Sequence, residues 1–230
     1  MRRVIYIRIV PVSSPEVAEM TKLYENCQRM ICIAYANEMA DACQALDAPI
    51  DAFEVARAAA TKPFGYLPFT PSAGVGGDCI PVNPNYLLST SAFPILEQAS
   101  QKMRERPGML ADRVMRSLNS LTSTPPKISK RRILVVGVAF KPGQSLTTNA
   151  PGVAIIKRLL DEWDAHVTFC DPFVTEQALP FVPRFDDSAE WNAKHLGEFA
   201  AIIVVIKQTG LDFSVLDSVH DGVLVVKYCQ

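Results

Sequence analysis

The segment from Ser13 to about Leu46 runs for about 30 residues without a glycine or a second proline, after a Ser-Ser-Pro-Glu start that suits the first turn of a helix. Apolar and small residues recur along it at steps of three and four, at Met20, Leu23, Cys27, Met30 or Ile31, Ala34, Met39 and Cys43. This spacing predicts one amphipathic helix, roughly 45 Å long at 1.5 Å per residue. A small domain does not cover such a stripe by itself, so we expect a homodimer formed through this helix.

The composition is that of a globular protein with balanced charge. Of the 230 residues, 49% are hydrophobic and 20% are charged, which supplies a core and excludes a disordered chain. Lys and Arg number 23 against 24 Asp and Glu, so we expect no nucleic-acid partner and no membrane-surface partner. The longest apolar runs, such as 199–206, are too short to span a bilayer, and we expect no secretory signal at the N-terminus.

The six cysteines are scattered, without C-x-x-C pairs or neighbouring histidines. We therefore expect no metal centre, and we predict that most of them are reduced, buried side chains of a cytoplasmic protein. Cys79 is the exception, because it follows three glycines within a loop over 61–84 that is rich in proline and glycine. A thiol presented there is a candidate nucleophile, and packing as a small apolar residue under a tight turn is the alternative.

The rest of the chain predicts further helices and then a sheet. Helical patterns cover 51–60, 85–106 and, after Pro107-Gly108, 109–121, and the polar stretch at 122–130 with its two prolines indicates a domain boundary. Beyond it, buried strands alternate with one helix, which predicts a doubly wound parallel sheet. The strands are expected over 133–138, 167–170, 201–206 and 223–226, and the helix over 151–163.

Two other places in the sequence could hold an anion. Lys22 and Asn26 are four residues apart and share a helix face, where they could hold an oxyanion or a phosphate; a solvated helix face is the alternative. The turn from Gly137 to Gly143 follows a strand and could cradle a phosphate, although it lacks the P-loop pattern and an ordinary turn is the alternative.

Five ordered segments carry a resemblance to a known family. They are Val-Ser-Ser-Pro-Glu-Val-Ala-Glu-Met-Thr-Lys-Leu-Tyr-Glu-Asn at 12–26, Ala-Asn-Glu-Met at 36–39, Ala-Thr-Lys-Pro-Phe-Gly-Tyr at 60–66, Gly-Val-Gly-Gly-Asp-Cys-Ile-Pro at 74–81 and Gly-Val-Ala-Phe-Lys-Pro at 137–142. In this order they resemble the successive motifs of the UDP-glucose/GDP-mannose dehydrogenase family, nearest its UDP-N-acetylhexosamine 6-dehydrogenase branch. The resemblance covers about residues 10–230.

The resemblance implies an α/β fold, truncated at both ends relative to the family. Residues 1–12 would be a remnant strand or linker, 13–124 a helical dimerisation domain with one long helix, and 125–230 a Rossmann-like doubly wound parallel-sheet domain of the kind that binds a UDP-sugar. In that family an NAD-binding domain with a G-x-G-x-x-G turn precedes the long helix. We therefore expect no NAD site within these residues, although the family uses NAD.

The resemblance also implies roles for individual residues. Cys79 would capture an aldehyde and carry a thioester, while Lys22 and Asn26 would steady the oxyanion and the water. Phe140 and Lys141 match a nucleotide-sugar contact. Further substrate-binding positions that the resemblance implies are Phe69, Gly74, Gly76, Gly77 and Thr148.

Several positions depart from the family pattern. Asn83 stands where the family has the aspartate that assists thioester hydrolysis, and an amide cannot act as a base at neutral pH. Thr148 stands where the family has an arginine that reaches the nucleotide sugar, and the tract 206–208 replaces Thr-Asp-His. Together with the aromatic residues of the loop, Phe64, Tyr66 and Phe69, the lost arginine favours a small-molecule ligand that is less anionic than a nucleotide sugar.

Three interpretations follow from this mixture of retained and altered motifs. In the first, the chain is a repurposed homologue whose old substrate cleft, with Cys79 and Lys22, binds or transforms another ligand without NAD. In the second, it is a pseudoenzyme that serves as a dimer scaffold. In the third, it is a fragment of an NAD-dependent UDP-sugar 6-dehydrogenase, which oxidises an alcohol to a carboxylate.

Overall fold

The structure, a computed structural model, describes residues 9–65, 67–121 and 131–229. Most of the predicted remnant strand at 1–12 lies outside these residues, and so do Tyr66 and the predicted domain boundary at 122–130. The helices in the described part of the first half are α1 (Pro15–Ala45), α2 (Ala52–Ala59), α3 (Asn83–Leu88) and α4 (Pro94–Leu121). The predicted long helix is therefore confirmed. It starts where predicted because Ser14 Oγ accepts a hydrogen bond from the Val17 amide and Pro15 fits the first turn.

The helix α4 passes through Pro107 without interruption, so the predicted break at Pro107-Gly108 is wrong. The break lies at 89–93 instead, just before α4 begins at Pro94. Pro107 has no N–H to donate to the carbonyl of Met103, which is normally costly inside a helix. Here the ring of Pro107 and the Met103 carbonyl oxygen pack tightly on Gly74, where a Cβ atom would lie 3.4 and 3.5 Å from them. This packing offsets part of the cost.

The apolar residues of α1 divide between two faces. Cys27, Met30, Ala34 and Cys43 are buried as predicted, the first three against Leu96, Ala99 and Met103 of α4. Met20 and Met39, from the same predicted stripe, are 53% and 40% exposed. The contact with α4 therefore covers only part of the stripe.

The second half contains a four-stranded sheet in the order β2-β1-β3-β4, with all neighbouring strands parallel. Its elements are β1 (Arg132–Val136), α5 (Pro151–Trp163), β2 (His166–Cys170), a 3-10 turn (Glu176–Ala178), α6 (Asp187–Glu190), α7 (Ala193–Leu196), β3 (Ala201–Val204), a second 3-10 turn (Phe213–Ser218) and β4 (Leu224–Lys227). Separate apolar clusters cover the two faces of the sheet. The predicted α/β fold with a long helix and a doubly wound parallel sheet is confirmed.

The helix α4 connects the two halves. Its first part packs on α1, and its second part, with Leu110, Val114 and Leu118, joins the core formed by α5 and one face of the sheet. This shared helix fixes the loop that carries Cys79 against the edge of the sheet. None of the helices in the described residues combines the length and the apolar character that a membrane span needs.

Candidate functional site

The loop that leads to Cys79 is anchored at its start by buried polar side chains of α1 and α4. Asn37, fully buried on α1, accepts a hydrogen bond from the Ser72 amide at 2.7 Å. Arg106, buried on α4, donates from Nε to the Ser72 carbonyl at 2.9 Å and from Nη1 to Asp41 at 2.7 Å. These bonds satisfy the backbone of the loop where it enters the interior, so the loop is held in one place.

The glycines of this loop pack directly on the sheet half of the molecule. A Cβ atom on Gly76 would lie 2.8 Å from Cβ of Phe140, and one on Gly77 would lie 3.0 Å from the Phe140 ring. Gly77, at φ +92°, donates its amide to the Thr148 carbonyl at 2.9 Å, and its own carbonyl accepts from Asn149 Nδ2 at 3.0 Å. Close packing therefore accounts for both glycines without a ligand. It also places Phe140 and Thr148 next to the loop.

Cys79 is exposed at the end of this loop. Its carbonyl accepts the amide N–H groups of Val82 at 3.2 Å and Asn83 at 2.8 Å, so the cysteine and the start of α3 form one tight turn. Asn83 in turn accepts a short hydrogen bond from Nδ2 of Asn26, which is 2% exposed on α1. The structure thus places Asn83 at the end of the Cys79 turn and in contact with Asn26. An amide pair occupies the two positions where the family has an amide and a carboxylate.

Lys22 lies one turn before Asn26 on α1 but has a different partner. Its ammonium group is 2.6 Å from Oε2 of Glu25, and both side chains are at least half exposed. The hydrogen bond from Lys22 holds the pKa of Glu25 below its ordinary value. In this arrangement Lys22 neutralises a neighbouring acid on the same helix. An exposed ion pair of this kind contributes little stability, so a ligand could draw the ammonium away at small cost.

The other predicted substrate-binding residues are not all in one place. Lys141 and Thr148 are exposed on the sheet side of the Cys79 loop. Phe69 does not lie with them, since it lines a cavity of about 450 Å³ between α1 and α2, together with Tyr35, Met39 and Val55. Gly74 packs on Pro107, as described above.

The turn after β1 is an ordinary turn, the alternative to a phosphate cradle, because its amides are bonded within the protein. The amides of Val138 and Ala139 donate to Oδ2 of Asp171 at 2.9 and 3.1 Å, and the amide of Gly143 donates to Oε1 of Gln208 at 2.6 Å. In a dinucleotide-binding turn the corresponding amides receive a pyrophosphate. Here the carboxylate of Asp171 accepts the amides of Val138 and Ala139 instead.

Asp171 and Gln208 are functional candidates that sequence reasoning missed. Both are buried, and Gln208 Nε2 donates to Asp171 Oδ1 at 3.1 Å while its Oε1 accepts from Gly143. The pair closes the loop that presents Phe140 and Lys141. The sequence signals were that both residues follow strands of the predicted sheet, at its carboxyl edge, and that Gln208 belongs to the tract 206–208, which departs from the family pattern.

The exposure of Cys79 separates it from the other cysteines. Cys27, Cys43 and Cys170 are buried, and Cys32 and Cys229 are partly buried. Burial raises the pKa of the Cys27, Cys170 and Cys229 thiols, which keeps them protonated at neutral pH. Within the described residues, no group of three or more His, Cys, Asp or Glu side chains could hold a metal ion.

Comparisons with known proteins agree with this architecture. The central-domain model of the UDP-glucose/GDP-mannose dehydrogenase family matches residues 16–103. The chain is 32% identical over 169 residues to a UDP-N-acetyl-D-glucosamine 6-dehydrogenase of Pseudomonas aeruginosa, a match that covers 72% of this chain and 38% of that protein. It is 28% identical over 198 residues to a UDP-N-acetyl-D-mannosamine dehydrogenase of Campylobacter jejuni, covering 85% of this chain and 46% of that protein.

Among solved structures, a UDP-D-ManNAc dehydrogenase of Pyrococcus horikoshii superposes with a TM-score of 0.75 at 26% identity, over 92% of this chain and 48% of that one. The chain spans about half the length, or less, of the curated relatives it matches. The order of the motifs, the fold around Cys79 and these matches agree, and the chain therefore belongs to the UDP-glucose/GDP-mannose dehydrogenase family, near its UDP-N-acetylhexosamine branch.

Proposed function

We propose that this chain binds a small molecule in the cleft beside Cys79 and that Cys79 is the nucleophile of a reaction that needs no dinucleotide. The observation that carries the proposal is the turn from Cys79 to Asn83, in which the cysteine is exposed and Asn83 is held by the buried amide of Asn26. Because its relatives are named as UDP-N-acetylhexosamine dehydrogenases, a UDP-sugar is the first ligand class to test.

The proposed chemistry is reversible addition to an aldehyde. The Cys79 thiolate forms a carbon–sulfur bond with the carbonyl carbon, and the carbonyl π electrons move to oxygen, which then takes a proton from water. The product is a hemithioacetal, and no electron acceptor is required. Lys22 and Asn26 are the candidates to stabilise the developing oxyanion. Asn83 cannot activate water, so a thioester formed at this cysteine would be hydrolysed slowly.

The first experiment is a calorimetric titration of the chain with UDP, UDP-N-acetylglucosamine, UDP-glucose and NAD. Micromolar binding of a UDP-sugar, with no heat from NAD, would support a nucleotide-sugar ligand for this cleft. Lys141→Ala should weaken this binding, whereas Lys102→Ala, at an exposed lysine that pairs with Glu38, should leave it unchanged. If none of the three uridine compounds gave a binding heat, the nucleotide-sugar role would be lost.

The second experiment measures the thiol directly. Iodoacetamide should modify Cys79 first, because it is the exposed cysteine. Cys79→Ser should remove the fast alkylation and any aldehyde adduct, and Cys32→Ser, at a partly buried cysteine of α1, serves as the matched control. Adduct formation that survives Cys79→Ser would contradict the assignment of the nucleophile.

A second candidate function is favoured by the names of the relatives. The chain would then supply the substrate-binding half of an NAD-dependent UDP-N-acetylhexosamine dehydrogenase. This candidate predicts that NADH forms from a UDP-N-acetylhexosamine only when a separate dinucleotide-binding chain is added. A dimer scaffold without catalysis, in contrast, would tolerate Cys79→Ser in every assay.

A further inference from the structure

A cavity of about 510 Å³ lies between α4 and α5, behind the loop that carries Cys79. Met30 and Val75 form one wall, Met103 lies on α4, and Val153 lies on α5. Its volume is within the range of small-molecule pockets. Pro81 and Val82, from the turn that follows Cys79, also line it, so the cavity adjoins this turn, but the side chains of Cys79, Lys22 and Lys141 are not among its lining residues.

The charged residues that line the cavity are Arg104 on α4 and Lys157 on α5, and none of the described lining residues is acidic. Neither cation is within 4.0 Å of a carboxylate oxygen of a described residue; Lys157 Nζ lies 5.7 Å from the ring centre of Phe181. On the same two helices, Asp112 and Glu162 pair with Arg158. The two cavity cations are therefore available to a negatively charged ligand.

Ser100 is a second, independent observation that points to a ligand in this cavity. It lies one turn before Arg104 on the same face of α4, lines the cavity and is 6% exposed. Its hydroxyl oxygen has no hydrogen-bond partner among the described residues. A buried hydroxyl without a partner is uncommon, because its desolvation is costly. A ligand oxygen in the cavity would satisfy it.

The N-terminal end of α5 also favours an anion in the cavity, more weakly than the two cations do. Ala150 and Pro151 line the cavity, and no side chain caps the first turn of this 13-residue helix. The positive end of the helix dipole therefore faces the cavity and favours an anion there. Thr147 and Asn149 add polar groups at the same end.

We propose that this cavity is a second ligand site, which binds a small organic phosphate. The phosphate group lies between Arg104 and Lys157 and forms a hydrogen bond with the Ser100 hydroxyl. The apolar part of the ligand packs on Met30 and Met103. The site goes beyond the proposed function, because it shares no charged side chain with the cleft of Cys79.

The test is a calorimetric titration of the full chain with phenyl phosphate, which joins a phosphate to an apolar ring, and with inorganic phosphate. We expect saturable binding of one phenyl phosphate per chain, tighter than that of inorganic phosphate. Arg104→Gln and Lys157→Gln should each weaken it at least about tenfold, since each removes one charge-assisted contact. Lys102→Gln, which removes a cation of the same helix outside the cavity, should leave it unchanged.

Ser100→Ala separates a binding role from a structural one. It should weaken phenyl phosphate binding without lowering the melting temperature of the free protein, because the hydroxyl has no partner to lose. Absence of saturable binding, or equal weakening by Lys102→Gln, would overturn the inference. If Lys141→Ala abolished binding while Lys157→Gln did not, the probe would occupy the Cys79 cleft, which overturns this inference and leaves the proposed function intact.

Discussion

Asn83 decides what chemistry can follow the attack of Cys79. Its side-chain oxygen accepts the hydrogen bond from Asn26, and a carboxylate at this position could accept the same bond. We therefore expect Asn83→Asp to change the free energy of unfolding by less than about 1 kcal/mol. The variant would then carry a base four residues after the nucleophile, in the place where the family has its aspartate.

The measurement is the deacylation of Cys79 after reaction with p-nitrophenyl acetate, followed by mass spectrometry. Asn83→Asp should accelerate it about a hundredfold or more, the usual contribution of a general base. Asn85→Asp adds the same charge on the same short helix and should leave the rate near that of the wild type. Equal rates in the wild type and in Asn83→Asp would show that residue 83 does not reach the thioester.

Only part of the site follows from the sequence. The motif match predicts that Cys79, Asn26 and Asn83 lie together, because motif order fixes where each loop and helix goes in this fold. It does not predict that Lys22 pairs with Glu25, a competition between neighbours three residues apart. The residues around the second cavity, Ser100 and Lys157, are far apart in sequence, and their meeting depends on how α4 packs on α5.

Among the elements, the strands are predicted within a few residues because continuous apolar runs of this length suit a buried parallel sheet. The one clear failure is Pro107, where local chemistry predicts a break and tertiary packing keeps the helix continuous. The sequence leaves the turn after β1 open between a phosphate site and an ordinary turn for a related reason. Its glycine and its amides serve the contacts with β3 and Asp171, which no local pattern reveals.

Gly137 is the glycine on which the sheet depends most. At φ +78°, a Cβ atom there would collide with the Ile206 carbonyl oxygen and lie 3.0 Å from the Ile206 amide nitrogen. Gly143 has nearly the same φ, +74°, but nothing lies within 4 Å of its Cβ position. We expect Gly143→Ala to cost about 1 to 2 kcal/mol of unfolding free energy from backbone strain alone. Gly137→Ala should cost about 3 kcal/mol more.

Chemical denaturation of the two variants checks this difference. Both substitutions introduce alanine at a left-handed position, so the cost of backbone strain is the same in the two variants. The difference between their unfolding free energies therefore measures how closely the end of β1 packs against the end of β3. Equal destabilisation by the two substitutions would mean that the strand ends separate easily and that the loop carrying Phe140 and Lys141 is not held by this contact.

The two halves of the molecule are joined by Asp112 of α4. Its Oδ1 accepts from Arg158 Nε at 2.9 Å and from Trp163 Nε1 at 2.8 Å, both on α5, and its Oδ2 accepts from Arg158 Nη2 at 2.9 Å. The hydrogen bond from Arg158, assisted by the one from Trp163, holds the pKa of Asp112 below its ordinary value against the effect of burial. We expect Asp112→Asn to cost about 1 to 2 kcal/mol at neutral pH.

The pH dependence of this loss has a definite sign. A carboxylate whose pKa is lowered in the folded state stabilises the protein at pH values above the unfolded pKa of about 4. That stabilisation decreases as the pH falls through the lower, folded value. The difference between the wild type and Asp112→Asn should therefore be full at pH 7 and shrink below about pH 4. Asp161→Asn, which removes an exposed acid of α5, is the matched control for the change in net charge when unfolding is followed across the same range.

The outer face of α1 determines the assembly that we expect. Val17, Met20 and Tyr24 lie at helical spacing in its first half, Tyr35 and Met39 do so in its second half, and each is between 40% and 75% exposed. The two groups form an apolar stripe, interrupted by the exposed Gln28, that a second copy of the same helix would cover symmetrically. We expect sedimentation equilibrium to give twice the chain mass of 25.3 kDa.

Tyr24→Glu, at the most exposed of these positions, should shift the protein toward the monomer because it places a charge in the interface. Tyr86→Glu, at a similarly exposed tyrosine of α3, should leave the dimer unchanged. A wild-type protein that sediments at the monomer mass at every concentration would contradict the dimer and leave this stripe to another partner.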